Sequence, residues 1–411
     1  MIAGFLKALL DVGATVGGGV GLVPRPEVEA LFRAAGVRVE DDPAAVEPLD
    51  AMCRSLAEDL RLAPRGRLLL GRRYVDALRL RRRLLDRESE GRLPPTDDAA
   101  APVVVTGFPR TGTTLSHRLL ALAPDARAPR WCELMEPALG PGDPVRARRR
   151  RVTKHRRAIG MLDRLAPDLK RIHELVADGP EECTHLHELA FDSESFALAG
   201  PVRTYRDWLD GRDADRRRER YRWQDRALRA IVADRAADDR GERWVLKAPQ
   251  HLCQLDELFE CFPGATVVRM HRDPIAAMGS TASLVACASG ILTPGLPPGH
   301  GDDLLDIFEQ WQRRGDEAMT RHADRVIEVH YDDLVADPIG FVERVHAAGG
   351  IAVAGSHLDA VRSHLAARPK HHFGRHGYRL ADHGLDEHRV RERLAGYIAR
   401  IERLRTVSPT P

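Results

Sequence analysis

Three short stretches of this chain hold residue types that can grip an anion and move a proton beside it. The first is Val103-Val-Val-Thr-Gly-Phe-Pro-Arg-Thr-Gly-Thr-Thr-Leu115. A β-branched run enters Gly107, a turn follows, and a helix is expected from about Thr113. Glycines let the backbone curl so that successive N–H groups converge. The new helix adds its free amides and the positive end of its dipole. Thr113 and Thr114 supply hydroxyls, and Arg110 supplies a planar fork suited to phosphate. The loop nearly matches the triphosphate pattern GxxxxGK[ST], but Thr113 stands where a lysine would hold the β- and γ-phosphates. The charge sits three residues earlier, which favours a nucleotide with a single 5′-phosphate group over a triphosphate.

The second stretch, Arg243-Trp-Val-Leu-Lys-Ala-Pro-Gln-His251, reads as a strand ending in Lys247, with His251 after a proline turn. The third runs from Thr266 to Ser280. Its strand ends at Arg272-Asp-Pro274, proline opens the next helix, and Ser280 follows Arg272 by eight residues. Outside these stretches, Glu182 and His185 would share a helix face and are rival proton acceptors, although acids there also suit a helix N-terminus. His371, His372 and His376 match no familiar zinc spacing and have no cysteine nearby, so no metal site is assigned. Asp332 and Asp333 could imitate the magnesium ligand of a phosphate-loop kinase, but the missing loop lysine argues against it.

These stretches need a frame. Residues 25 to about 90 carry a helical period, with Val28, Leu31, Phe32 and Ala35 at its start. Leu93 to Pro102 is a linker rich in proline and small residues. Beyond it, Val103–Val105, Trp244–Leu246, Thr266–Val268 and Arg325–Val329 are short apolar runs separated by helical patterns. That alternation predicts an α/β fold with a central parallel sheet covered on both faces. The expected organisation is a helical N-terminal extension over 1–98 and an α/β domain over 99–411, with a mainly helical insertion at about 130–240. Eight basic residues between Arg146 and Arg157 read as a solvated helix face. The run Arg212–Arg222, interleaved with Asp213, Asp215 and Glu219, reads as intrahelical pairing.

Composition narrows the function. The 411 residues hold 63 Lys+Arg against 61 Asp+Glu, a net charge of +2, which argues against a bulk nucleic-acid binder. No run is expected to approach the ~18 apolar residues of a membrane span. Met1–Val23 is apolar but broken by Lys7 and Asp11, and reads as no signal peptide. Six cysteines without a CxxC pair suit a reducing cytoplasm. Only five of the basic residues are lysines, so a strand-end lysine such as Lys247 suggests that a compact ammonium is needed.

Together the three stretches resemble sulfotransferases that use 3′-phosphoadenosine 5′-phosphosulfate, and most nearly the bacterial-type branch with Arg in the first loop. The likeness runs from about residue 101 to 400 and takes in Asp178–Cys183, Tyr331–Leu334 and Tyr378–Tyr397. It implies a three-layer, P-loop-like fold. It places Arg110, Thr111, Gly112, Thr113 and Thr114 at the 5′-phosphosulfate, Arg272 and Ser280 at the 3′-phosphate, and catalysis at Lys247 and His251. The chain departs from the cytosolic branch at Leu115, where that branch has a Trp, and in lacking its late nucleotide motif, where Pro369–Gly377 stands instead.

Sulfuryl transfer needs a base for the acceptor proton, cations for the charge left on the phosphate, and in-line placement. His251 is the expected base, since imidazole titrates near ~6.5, with Glu182 as rival. Lys247 and Arg110 are expected to meet the developing charge, so no metal is required. The expected acceptor is a hydroxyl, or an amine, of a small molecule, lipid or carbohydrate, as in secondary metabolism. Its pocket is expected from the 130–240 region and the N-terminal extension. An oligomer is compatible with all of this. The competing expectations are a small-molecule kinase and a polyanion-binding module.

Overall fold

In the computed structural model the described residues are 3, 6–8, 10, 11, 27–95, 101–236, 239, 241–296, 299–368 and 377–407. Five strands, β1 (Val103–Gly107), β2 (Ala126–Arg127), β3 (Arg243–Lys247), β4 (Thr266–His271) and β5 (Val326–His330), form one parallel sheet in the order β2-β3-β1-β4-β5. β1 lies at the centre, with Val103 opposite Val245 on one side and Thr266 on the other. All five of its residues are buried. A run of β-branched residues suits that place, because a central parallel strand is covered on both faces. β2 is only two residues long, too short to leave a periodic signal in the sequence.

Successive side chains of a strand point to opposite faces, and the core divides accordingly. Val103 and Val105 pack with Val245, Val268 and Val329 against Leu119, Leu120, Phe341 and Val345. Val104 joins Leu246 and Val267 on the other face, where Leu31, Phe32, Leu49, Leu78 and Leu228 cover it. Helix, sheet and helix make the three layers. The helices Val28–Ala35, Val46–Glu58 and Pro64–Ser89 therefore share a core with the sheet. The Leu93–Pro102 linker lies partly outside the described residues.

The chain leaves β1 toward β2 and β3 on one side, then crosses to β4 and β5 on the other. Such a reversal opens a crevice at the carboxyl ends of the strands. Three loops meet there, those that leave β1, β3 and β4.

One sequence expectation needs correction. Pro274–Leu292 is 19 residues long with a mean hydropathy of 1.7, long and apolar enough to cross a membrane. Its small residues, Ala, Gly and Ser, hide the apolar run from a search for Leu and Val. In the fold, half of its most apolar stretch is buried. Ala277, Met278 and Ala282 pack against Phe108, Leu305 and Phe308.

The Arg212–Arg222 run also differs from expectation. Arg218–Asp215 and Arg222–Glu219 do pair within the helix Ala214–Asp234. Arg220, however, is fully buried and is neutralised by Asp192 and Glu194, and Arg212 also meets Asp192. These partners lie in a separate loop, which helix spacing cannot reveal.

Candidate active site

β1 ends at Gly107, whose φ of +136° is open to glycine. A Cβ there would fall 2.4 Å from the Met270 carbonyl oxygen of β4, so the loop and that strand touch backbone to backbone. Gly112, at φ +97°, begins the helix Thr113–Leu120, and its missing Cβ leaves room for the Tyr331 ring. Arg110 has φ +69° although it carries a side chain, a conformation costing about 1–2 kcal/mol. Arg272 helps to hold it, donating from a guanidinium NH to the Arg110 carbonyl oxygen at 2.9 Å. Thr111 turns inward, and its hydroxyl donates to the Phe108 carbonyl oxygen at 2.7 Å. It stabilises the loop, while Gly112, Thr113 and Thr114 line the cavity.

Arg110 and Arg272 converge. Arg110 Nε donates to Ser280 Oγ at 3.0 Å. The Arg272 guanidinium lies over the Tyr331 ring, 4.6 Å from its centroid. Ser280 sits in the helix Pro274–Leu292, which Asp273 caps by accepting from the Ala276 amide at 3.1 Å. Neither arginine has a carboxylate ion pair among the described residues. Burial first, and then the Arg272 charge, push the Arg110 pKa below its ordinary value. Two cations held together without a carboxylate ion pair among the described residues, beside the free amides of a helix start, are suited to hold an anion.

Across the cavity stands a carboxylate pair. Cys183 N donates to the Lys247 carbonyl oxygen at 2.9 Å, which lays the Asp178–Cys183 segment along the end of β3. Lys247 Nζ then meets Glu182 Oε1 at 2.6 Å and Glu181 Oε1 at 3.4 Å. Glu181 is 3% exposed and also bonds His173 Nε2 at 3.0 Å. Burial alone would raise its pKa, but His173 and Lys247 outweigh it and hold the carboxyl well below the usual range. Glu182 keeps 22% of its side-chain surface exposed and lines the cavity. Lys247 is fully buried behind the two carboxylates and does not line it. His185, also at the cavity wall, bonds Glu188 Oε1 at 2.8 Å.

His251 is placed elsewhere. The residues after β3 form the 3₁₀ turn Pro249–Gln254. At three residues per turn, neighbouring side chains diverge by a third of a revolution. Pro249 and Gln250 face the cavity, and His251 faces the core. It is fully buried, with Nε2 at 3.0 Å from Cys183 Sγ and Nδ1 at 2.9 Å from the Tyr221 hydroxyl. Burial, then His187 and Arg220, hold its pKa well below the ordinary imidazole value. A buried neutral ring with both nitrogens engaged has no path to a bound hydroxyl.

The cavity holds about 460 Å³. Its wall is mixed: Arg110, Arg272, Tyr331, Glu182 and His185 share it with Asp210, Gln310 and Arg314, and Leu162, Leu169, Leu284, Val285, Phe308 and Trp311 make it largely apolar. The 130–240 region contributes to the wall as expected, but the described residues of 27–95 do not; the helices Pro274–Leu292 and His300–His322 take that place. Sequence reasoning missed Glu181, His173 and the ring role of Tyr331. Glu181 could have been suspected as the neighbour of Glu182, but His173 carries no local signal. Asp332 is 59% exposed and faces Arg405, away from any phosphate role. The histidines of 371–376 lie outside the described residues.

Comparison with known proteins shows the family. A profile of the sulfotransferase family matches residues 102–355. The omega-hydroxy-beta-dihydromenaquinone-9 sulfotransferases Stf3 of Mycobacterium bovis and Mycobacterium tuberculosis are each 26% identical to this chain over 288 residues, 67% of this chain and 69% of theirs. The crystal structure of sulfotransferase STF1 from Mycobacterium tuberculosis superposes with a TM-score of 0.71 at 25% identity, covering 92% of this chain and all of that one. That of STF9 from Mycobacterium avium also gives 0.71, at 23% identity over 91% of this chain and 96% of its own, a likeness of fold. With its parallel sheet and a family match over more than half its length, the chain belongs to the sulfotransferase family and is a sulfotransferase enzyme.

Proposed function

We propose that this enzyme transfers a sulfuryl group from 3′-phosphoadenosine 5′-phosphosulfate to a hydroxyl on a largely apolar acceptor, with Glu182 as the base. The observation that carries this is the pairing of Arg110, bonded to Ser280, with Arg272, bonded to the Arg110 carbonyl oxygen, neither with a carboxylate ion pair among the described residues, in one cavity with Glu182. When bound, the donor supplies an activated sulfur whose bond to the phosphate oxygen breaks as a bond to the acceptor oxygen forms. The amides of Gly112, Thr113 and Thr114 and the Arg110 guanidinium hold the 5′ end. Arg272 and Ser280 hold the 3′-phosphate, with Tyr331 keeping the Arg272 plane in place. Arg110 also meets the charge that collects on the leaving phosphate, where a preorganised donor contributes ~10²–10³ in rate.

Glu182 takes the proton of the acceptor hydroxyl at a carboxylate oxygen. Lys247, bonded to Glu182 Oε1, acts as a positioning residue. Glu181 and His173 fix Lys247 in turn. The largely apolar wall of the cavity favours a hydrocarbon-rich acceptor, and the quinone-lipid derivative in the names of the mycobacterial relatives points the same way. The six free cysteines suit a reducing, cytoplasmic setting.

Calorimetric titration with adenosine 3′,5′-bisphosphate, beside ATP–magnesium, tests the donor assignment. The bisphosphate is expected to bind, and Arg272→Ala to weaken it by about 10–100-fold, the worth of one or two charge-assisted bonds. Preference for ATP–magnesium, or full binding by the variant, would overturn the assignment.

A further inference from the structure

The helix Pro144–Leu165 carries a feature that neither the fold nor the transfer chemistry uses. Its buried side is made by Arg151, His155, Ile159 and Leu165. At 100° per residue, Arg146, Arg150, Arg157 and Arg164 fall along a single line on the opposite side. Arg149 and Arg156 flank that line. All six are exposed. Of these, Arg146 alone has an ion-pair partner among the described residues, Asp143 at 3.7 Å. From Arg146 to Arg164 the stripe spans about 27 Å at 1.5 Å per residue. This is a concentrated positive surface on a chain whose net charge is only +2.

From these residues we infer that this helix docks the enzyme on the surface of an anionic phospholipid bilayer. Three observations select a bilayer over a nucleic acid or another polyanion. The stripe is straight and lies along one exposed helix, which fits a plane and not a groove. No Phe, Tyr or Trp occurs from 144 to 165 to stack on bases. The stripe also carries apolar side chains at its edges, Val145 at 48% and Met161 at 42% exposure, of the kind that enter a headgroup layer. The opposite side of the same helix reaches the cavity, where Leu162, about 160° around from Arg146, joins the wall. The docking stands on the stripe and does not depend on the donor or acceptor assignment above.

The test is co-sedimentation of the full chain with phosphatidylcholine vesicles, with and without phosphatidylglycerol, at low and high salt. Binding is expected only with phosphatidylglycerol, and it should fall as salt screens the charges. Arg150→Gln with Arg157→Gln should weaken it about 25-fold, at about five-fold for each arginine removed near an anionic surface. Arg313→Gln, an exposed arginine of the helix His300–His322 paired with Glu317, should leave it unchanged. Titration with adenosine 3′,5′-bisphosphate should be the same for all three proteins, so failure of the donor assignment would show separately. Equal sedimentation of the double variant, or no preference for phosphatidylglycerol, would overturn the inference. So would capture on heparin or RNA at a salt concentration where vesicles do not bind, which would make the stripe a polyanion site.

Discussion

Replacing Glu182 by Gln isolates the proposed base, because it removes the charge and basicity while keeping the shape. The amide oxygen can still accept from Lys247, which also retains Glu181 at 3.4 Å. The stability cost is then that of exchanging one half-exposed, charge-assisted bond for a neutral one, about 1 kcal/mol. The rate should suffer far more. A positioned general base contributes about 10²–10⁴-fold, equivalent to about 3–5 kcal/mol of barrier. Donor binding should not change, since Arg110 and Arg272 keep their contacts with Ser280 and the loop. The assay compares single-turnover sulfation of a long-chain alcohol, the dissociation constant of adenosine 3′,5′-bisphosphate and the urea midpoint in the wild type, Glu182→Gln and His251→Gln. Glu182→Gln should lose at least about 100-fold in rate with binding intact. His251→Gln should lose stability, because it disturbs a buried contact with Cys183 and Tyr221, and should keep most of its rate once folded. A Glu182→Gln rate within a few-fold of wild type, with His251→Gln inactive yet folded, would refute the assignment.

Acid should destabilise the fold before it reaches ordinary carboxylate pKa values. Burial holds His117 and His187 at about 3 and His271 at about 4, whereas the unfolded chain protonates histidines near ~6.5. Below that pH the unfolded state binds more protons, so stability is full above about pH 6.5 and falls toward pH 4, by up to about 4 kcal/mol per unit for the three groups. Urea midpoints at pH 7.5, 6 and 5 check this, and a flat profile would contradict it. Gly112→Ala should cost about 2 kcal/mol and weaken bisphosphate binding, because φ is +97° and the new Cβ would lie 2.7 Å from Tyr331 Cδ2; thermal melting and titration measure both. Leu284→Ser, at the cavity wall, should raise KM for a long-chain alcohol about 10-fold and leave bisphosphate affinity unchanged, which separates acceptor from donor binding.

What could be read from the chain was what covalent adjacency decides. In Gly107–Thr114 the glycines, the arginine and the helix start lie within eight residues, so their order already implies a cradle. Arg272 and Ser280 are legible for the same reason, as a strand end and the helix that follows it. Alternating β-branched runs and helical periods suffice for a parallel three-layer fold, because a strand buried on both faces must be apolar throughout. The arginine stripe too is visible in the linear order of 146–164, although its lack of partners is not.

Tertiary structure decided the rest, since direction and partnership depend on residues distant in sequence. Lys247 and His251 sit four residues apart, yet the 3₁₀ turn between them sends His251 into the core, against Cys183 and Tyr221. Lys247 looks like a free cation until the 178–183 segment lies beside β3 and covers it with Glu181 and Glu182. Pro274–Leu292 is apolar enough to span a membrane, and only packing shows that it carries Ser280 to Arg110 and Leu284 and Val285 to the cavity wall. The linear order of residues thus determined the glycine-arginine turn after β1 and the layers of the fold. The choice of which charged groups face the cavity came only from folding, because burial and ion pairing are set by contacts such as Lys247–Glu182 and Arg110–Ser280, between residues 65 and 170 apart.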